Sequence, residues 1–119
     1  IRATISQTPD HGAEIVRLIL EDKELRAEWH AELTQMRERM KRLRVKLADA
    51  IRQRSNSKDF DFIAEHSGMF SLLGLPHDVV EQLKTKDGVY MINDGRINVA
   101  GIPEDRIGEL ADHLLAAIR

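Results

Sequence analysis

The stretch Asp94-Gly95-Arg96-Ile97-Asn98-Val99-Ala100-Gly101 decides how the second half of the chain is read. Asp-Gly ahead of an alternating run is a turn that feeds a strand. Ile97 and Val99 fall on one face of that strand and Asn98 on the other, and Gly101 with Pro103 closes it before a final helix. Arg96 therefore emerges at the mouth of a strand, among short and stiff neighbours. A planar guanidinium held there can grip a carboxylate or phosphate through two parallel hydrogen bonds, which a lysine cannot match. The same position also suits a solvated loop arginine, and the stretch alone leaves both readings open.

Outward from this turn, Val89-Tyr90-Met91-Ile92 reads as a strand. Pro76 to about Asp87-Gly88 reads as a short helix carrying Val79, Val80 and Leu83. Phe60, Phe62 and Ala64, then Phe70 and Leu72, have strand character on either side of Gly68, which marks a hairpin or bulge. The longest element lies before the polar break Ser55-Asn56-Ser57-Lys58-Asp59. Leu25, Trp29, Leu33, Met36, Met40, Leu43, Leu47 and Ile51 step by threes and fours with no proline or glycine between them. One helix is therefore expected from a cap at Asp22 to about Arg54. About thirty helical residues span roughly 45 Å, more than a small domain requires. Such a helix either backs a sheet along much of its length or bridges to something further.

A shorter amphipathic helix with Ala13, Val16, Ile19 and Leu20 precedes it, with Pro9 and Asp10 at its start. The closing helix has Glu104 and Asp105 in its first turn and Ile107, Leu110, Leu114, Leu115 and Ile118 as its expected buried face. The sum is an α+β fold: a small, largely antiparallel sheet backed by helices, one of them very long.

Composition narrows the function. A chain of 119 residues fits one domain able to bury a core unaided. There is no cysteine, so neither disulfides nor thiolate chemistry can serve it. No apolar run approaches the roughly 18 residues of a membrane span, and no basic-then-apolar leader opens the chain; a cytoplasmic protein without a membrane partner is expected. The histidines, at 11, 30, 66, 77 and 113, are scattered without ligand spacing, so no metal site is expected. Neither a glycine-rich phosphate cradle nor a nucleophile elbow is present. Eight basic residues between Arg37 and Arg54 could meet nucleic-acid phosphates. That helix also has an apolar face, no aromatic residue lies among the charges, and the net charge is −2. The basic residues are read as a solvated outer face, with no nucleic-acid partner.

Three further groupings stand out: Pro9-Asp10-His11-Gly12-Ala13, then Ser67-Gly68-Met69-Phe70-Ser71 with Gly74-Leu75, then Gly88-Val89-Tyr90 with Gly95 to Gly101. Jointly they resemble the C-terminal part of the class I, fold type I pyridoxal-phosphate aminotransferases, specifically the aspartate and aromatic amino acid group. That family's patterns read Pro-x-His-Gly-Ala, Asn-Gly-Met-Phe-Ser-x-x-Gly-Leu, Gly-Val-Tyr and Gly-Arg-(Val or Ile)-Asn-Val-Ala-Gly. Trp29-His30-Ala31-Glu32-Leu33 fits along the long helix, and the resemblance covers essentially the whole chain.

The resemblance implies roles. Residues 1–8 would be a remnant of an inter-subunit loop and residues 9–119 the small, C-terminal domain. Arg96 would bind the substrate's α-carboxylate. Arg2 would reach into the neighbouring subunit of a homodimer to take a distal carboxylate, and Phe70 would line the substrate pocket. The reaction implied moves an amino group between aspartate or an aromatic amino acid and a 2-oxo acid, with pyridoxal 5'-phosphate as cofactor. The family's loop Asn-Tyr-Ser-Asn-Pro-Pro is replaced here by Thr4-Ile5-Ser6-Gln7-Thr8-Pro9, and Ile5 in place of tyrosine would reshape the pocket entrance toward aromatic substrates. The family's cofactor-bearing lysine belongs to its large domain, and none of Lys23, Lys41, Lys46, Lys58, Lys84 or Lys86 has a matching context. The expectation is a piece of a longer enzyme, with no catalytic or cofactor-binding residue of its own and inactive alone. A stand-alone, non-catalytic interaction module on the same scaffold is the alternative.

Overall fold

Helices dominate residues 10–118, the part of the chain that the computed structural model describes. The chain divides into two units, one ending at Arg37 and the other starting at Glu38. The first holds α1 (Asp10–Glu21) and the opening turns of α2 (Lys23–Ser55). Asp22 caps α2 as its sequence position requires: Oδ1 accepts the N–H of Glu24 at 2.9 Å and of Leu25 at 3.1 Å. Along α1, Arg17 bridges Glu14 and Glu21, and its guanidinium holds the Glu14 carboxyl below the usual range. No side chain of α1 is buried, and Leu25, Trp29, Leu33 and Met36 of α2 are exposed. The long apolar stripe is therefore covered only over its second half.

In the second unit that half becomes the floor of a core. Leu43, Leu47 and Ile51 are fully buried against Ile63, Leu73, Leu83, Ile97, Val99 and Leu114. After α2 come α3 (Phe62–Glu65), β1 (Phe70–Leu72), α4 (His77–Asp87), β2 (Arg96–Asn98) and α5 (Ile107–Ile118), with 3-10 turns over Val99–Gly101 and Glu104–Arg106. β1 and β2 pair antiparallel, with Phe70 opposite Asn98, Ser71 opposite Ile97 and Leu72 opposite Arg96. Ser71 and Ile97 face inward, while Phe70, Leu72, Arg96 and Asn98 face out. The architecture is thus the expected one, a small antiparallel sheet backed by helices, although the sheet has two strands only.

Two expected strands are absent among the described residues. Phe60 to Ala64 folds as helical turns instead: Ile63 N–H donates to Phe60 O, Ala64 N–H to Asp61 O and His66 N–H to Phe62 O. Ile63 is thereby buried in the core, with Phe60, Phe62 and Ala64 partly buried against it, so the helical turns cover these apolar residues without the partner strand that their period-two pattern suggests. Val89 to Ile92 has no ladder partner beyond Ile92 N–H to Arg96 O at 3.1 Å, so it serves as the near arm of a turn. In α5 the buried set is Ile107, Ala111, Leu114 and Ala117, and Ile118 is exposed. Leu110 and Leu115, also expected on the buried face, are partly buried and pack against the core, and Ala111 and Ala117 join the buried set.

Candidate functional site

The site is built from the two strands and the turn between Ile92 and Arg96. Gly95 donates to Ile92 O at 2.8 Å, closing the turn, and has a φ of +86°, a conformation that side chains resist. Its carbonyl accepts the N–H of Leu73 at 3.1 Å, which ties the turn to the end of β1. Asp94 is folded back over Arg96. One carboxylate oxygen accepts the Arg96 backbone N–H at 3.1 Å and the other accepts Nε at 2.9 Å.

Arg96 is thereby aimed by its inner edge. Its side chain remains about half exposed, and neither terminal nitrogen donates to another described residue. Phe70, on the neighbouring strand and the same outer face, presents its ring 5.9 Å from the guanidinium carbon. That is within the range of a cation–π contact. The structure therefore brings together Arg96 and Phe70, two of the three residues singled out from the sequence. Arg2, the third, lies outside the described residues.

The ground beneath this face is firm. Asn98 Oδ1 accepts Ala100 N–H at 3.1 Å, capping the 3-10 turn, and Val99 N–H reaches back to Met69 O at 2.8 Å. Arg39 of α2 donates to the carbonyls of Ala100 and Ile102 at 3.1 and 3.4 Å. Arg44, also on α2, is buried beneath β1 at 2% exposure, and desolvation lowers its pKa. Assigning the whole basic run of α2 to a solvated face is thus wrong for Arg44 and in part for Arg39. The stepping of Met40, Arg44, Ala48 and Ile51 by fours and a three was the available signal, since it puts Arg44 beside the apolar stripe. In the sequence Asp94 marks only a turn; its hold on Nε of Arg96 is visible only in the fold.

A cavity of about 360 Å³ lies apart from this face, between the Gly88–Tyr90 segment, Gly101–Pro103 and α5. Neither Arg96 nor Phe70 lines it. Its polar groups pair with one another, Arg106 with Glu109 at 2.9 Å and His113 Nδ1 with Asp87 Oδ1 at 3.1 Å. It offers a substrate carboxylate no uncommitted cation among the described residues. Among those residues there is also no cluster of three metal-ligating side chains, and no helix is long and apolar enough to cross a membrane.

An exposed, pre-aimed guanidinium beside an aromatic ring can bind one carboxylate through two parallel N–H donors while the ring covers an apolar neighbour of that carboxylate. Comparison with known proteins bears on whose carboxylate that is. The family model for aminotransferase class I and II matches residues 1–114. The aromatic-amino-acid aminotransferase of Paracoccus denitrificans is 48% identical over 110 residues, which cover 92% of this chain and 28% of that protein. The aspartate aminotransferase of Salmonella typhi is 42% identical over 118 residues, 99% of this chain and 30% of that protein. A solved structure of an aromatic amino acid aminotransferase with 3-indolepropionic acid superposes with a TM-score of 0.89 at 46% identity, covering 97% of this chain and 30% of that one. The chain spans about 30% of the length of the aspartate aminotransferase it matches.

Proposed function

Because the chain belongs to the class I and II aminotransferase family, we propose that it is the substrate-carboxylate-binding part of an enzyme that moves an amino group between an amino acid and a 2-oxo acid. The substrates are aspartate or an aromatic amino acid, in line with the two kinds of relative. The observation that carries this reading is that both terminal nitrogens of Arg96, beside the Phe70 ring, make no hydrogen bond to another described residue. Arg96 takes the α-carboxylate through both of them, Asp94 holds the guanidinium plane, and Phe70 keeps water from one side. Fixing a carboxylate in this way converts part of the reaction's orientational cost into binding.

Pyridoxal phosphate, when bound, supplies the electron sink for such an exchange. The described residues do not fit its attachment. The outer face of the sheet holds Phe70, Leu72, Arg96 and Asn98 and no lysine, and Lys46 is engaged with Glu104 at 2.5 Å. No step at the cofactor is therefore assigned to these residues, and its lysine belongs to the remaining length that the relatives possess. In the same reading the parent enzyme is a homodimer, residues 9–119 are its small domain, and Arg2 takes a distal carboxylate across the subunit boundary. That role rests on the sequence resemblance.

The test is amino transfer by the full-length protein carrying this chain, assayed with aspartate and with phenylalanine as donors. Losing a bidentate, charge-assisted grip worth roughly 3 kcal/mol predicts about a 100-fold fall in kcat/KM for Arg96→Lys with both donors. An unchanged kcat/KM removes Arg96 from the site. A full-length protein that transfers no amino group leaves a non-catalytic interaction module on the same scaffold as the surviving reading.

A further inference from the structure

Arg44 is a charge with no carboxylate partner among the described residues, buried under the sheet. It donates from Nη1 to the carbonyl of Ile63 at 3.4 Å and to the hydroxyl of Ser71, and from Nη2 to the carbonyls of Gly68 at 2.5 Å and Phe70 at 3.0 Å. Ser71 Oγ also lies 3.4 Å from His66 Nδ1. Burying a guanidinium costs free energy even when its donors are satisfied. An apolar side chain would suit a position beside Leu43, Leu47 and Ala48, so the arginine calls for a reason.

The strands supply one. Each is three residues long, and a ribbon of two such strands is marginal by itself. A slip of one residue would swap its faces and turn Phe70 and Arg96 from the outer side to the core side. Arg44 grips β1 at Phe70 O and Ser71 Oγ, and the loop leading into it at Gly68 O. All these acceptors are tied to the second-unit part of α2, where Leu43, Leu47 and Ile51 are buried in the core. A lysine in its place has one nitrogen and cannot span three carbonyls and a hydroxyl with a planar fork.

We propose that Arg44 is a positioning residue for substrate carboxylate binding, acting through β1 to hold Phe70 and its diagonal neighbour Arg96 on the outer face in one register. This rests on the carboxylate reading of Arg96 above. Arg44 touches no substrate, and its contribution passes entirely through the strand pair.

The test uses the full-length protein and 3-indolepropionate, an unreactive carboxylate, with Kd measured for wild type, Arg44→Lys, Ser71→Ala, Arg96→Lys and the two double variants with Arg96→Lys. Misplacing the grip by a fraction of an ångström predicts about a tenfold weaker Kd for Arg44→Lys. Ser71→Ala removes one of the four acceptors, keeps the protein assayable if Arg44→Lys does not fold, and weakens Kd about two- to threefold by the same argument. Both effects vanish in the Arg96→Lys background, because residues acting through one another are not additive. A general loss of stability would instead persist there. Unchanged Kd in Ser71→Ala and in every Arg44→Lys protein that folds, or equal weakening with and without Arg96, overturns the inference alone. An Arg96→Lys protein that binds 3-indolepropionate like wild type overturns the carboxylate reading and this inference with it.

Discussion

The guanidinium carbon of Arg96 stands 5.9 Å from the centre of the Phe70 ring, its diagonal neighbour across the two strands, while Leu72 lies directly opposite. Pairs on that diagonal are within reach of an aromatic ring. A contact of this kind at an exposed site contributes about 0.5–1 kcal/mol. Phe70→Leu in the full-length protein should therefore weaken carboxylate binding about two- to fivefold while leaving the melting temperature nearly unchanged, since Phe70 is 44% exposed and leucine keeps an apolar side chain there. Calorimetric titration with 3-indolepropionate reads the first quantity and a thermal melt the second. A large fall in melting temperature would make Phe70 a core residue rather than part of the site.

The two halves of the α2 stripe differ in exposure, which separates their contributions to stability. Leu47 is fully buried and Leu33 is 39% exposed. Leu47→Ala should cost about 2–5 kcal/mol of unfolding free energy. Leu33→Ala should stay near about 0.5 kcal/mol in the isolated chain. Denaturant titration of the two variants side by side gives the comparison, and equal losses would contradict the burial described above.

Glu104 sits where Lys46 and Arg42 converge, and chiefly the Lys46 hydrogen bond, then that of Arg42, lowers its pKa from 4.5 to about 2. A carboxyl held lower in the folded state than in the unfolded chain stabilises the fold above its unfolded value. That contribution fades as the pH falls from 4.5 through about 2. Glu104→Gln should thus lower the melting temperature at pH 7 and flatten its fall over the same acid window. The group is solvent-accessible, so 1 M salt should shrink the difference between the two proteins. Parallel acid limbs would show that the cluster does not couple to folding.

Much of this architecture was legible because it depends on local patterns. Asp22 and the three-four stepping locate α2, Asp94-Gly95 locates the turn, and Gly88 with a φ of +66° ends α4 as its sequence position suggests. Phe60–Ala64 and Val89–Ile92 misled because short apolar runs look alike as strand or turn until a partner strand is known. Arg96 and Phe70 were visible as candidates, yet their meeting depends on the Leu72–Arg96 register, which no short motif encodes. Arg44 is hidden among the seven other basic residues between Arg37 and Arg54, and only the tertiary fold distinguishes a cation beneath the sheet from those in solvent.

The role proposed for Arg96 is recognition of a carboxylate by its charge and two-oxygen shape. The most direct measurement compares Kd for 3-indolepropionate with Kd for its neutral amide, in the full-length wild-type protein and in Arg96→Lys. Wild type should prefer the carboxylate by about 100-fold, and the variant should lose most of that preference. A preference that survives Arg96→Lys intact would place carboxylate recognition elsewhere in the protein.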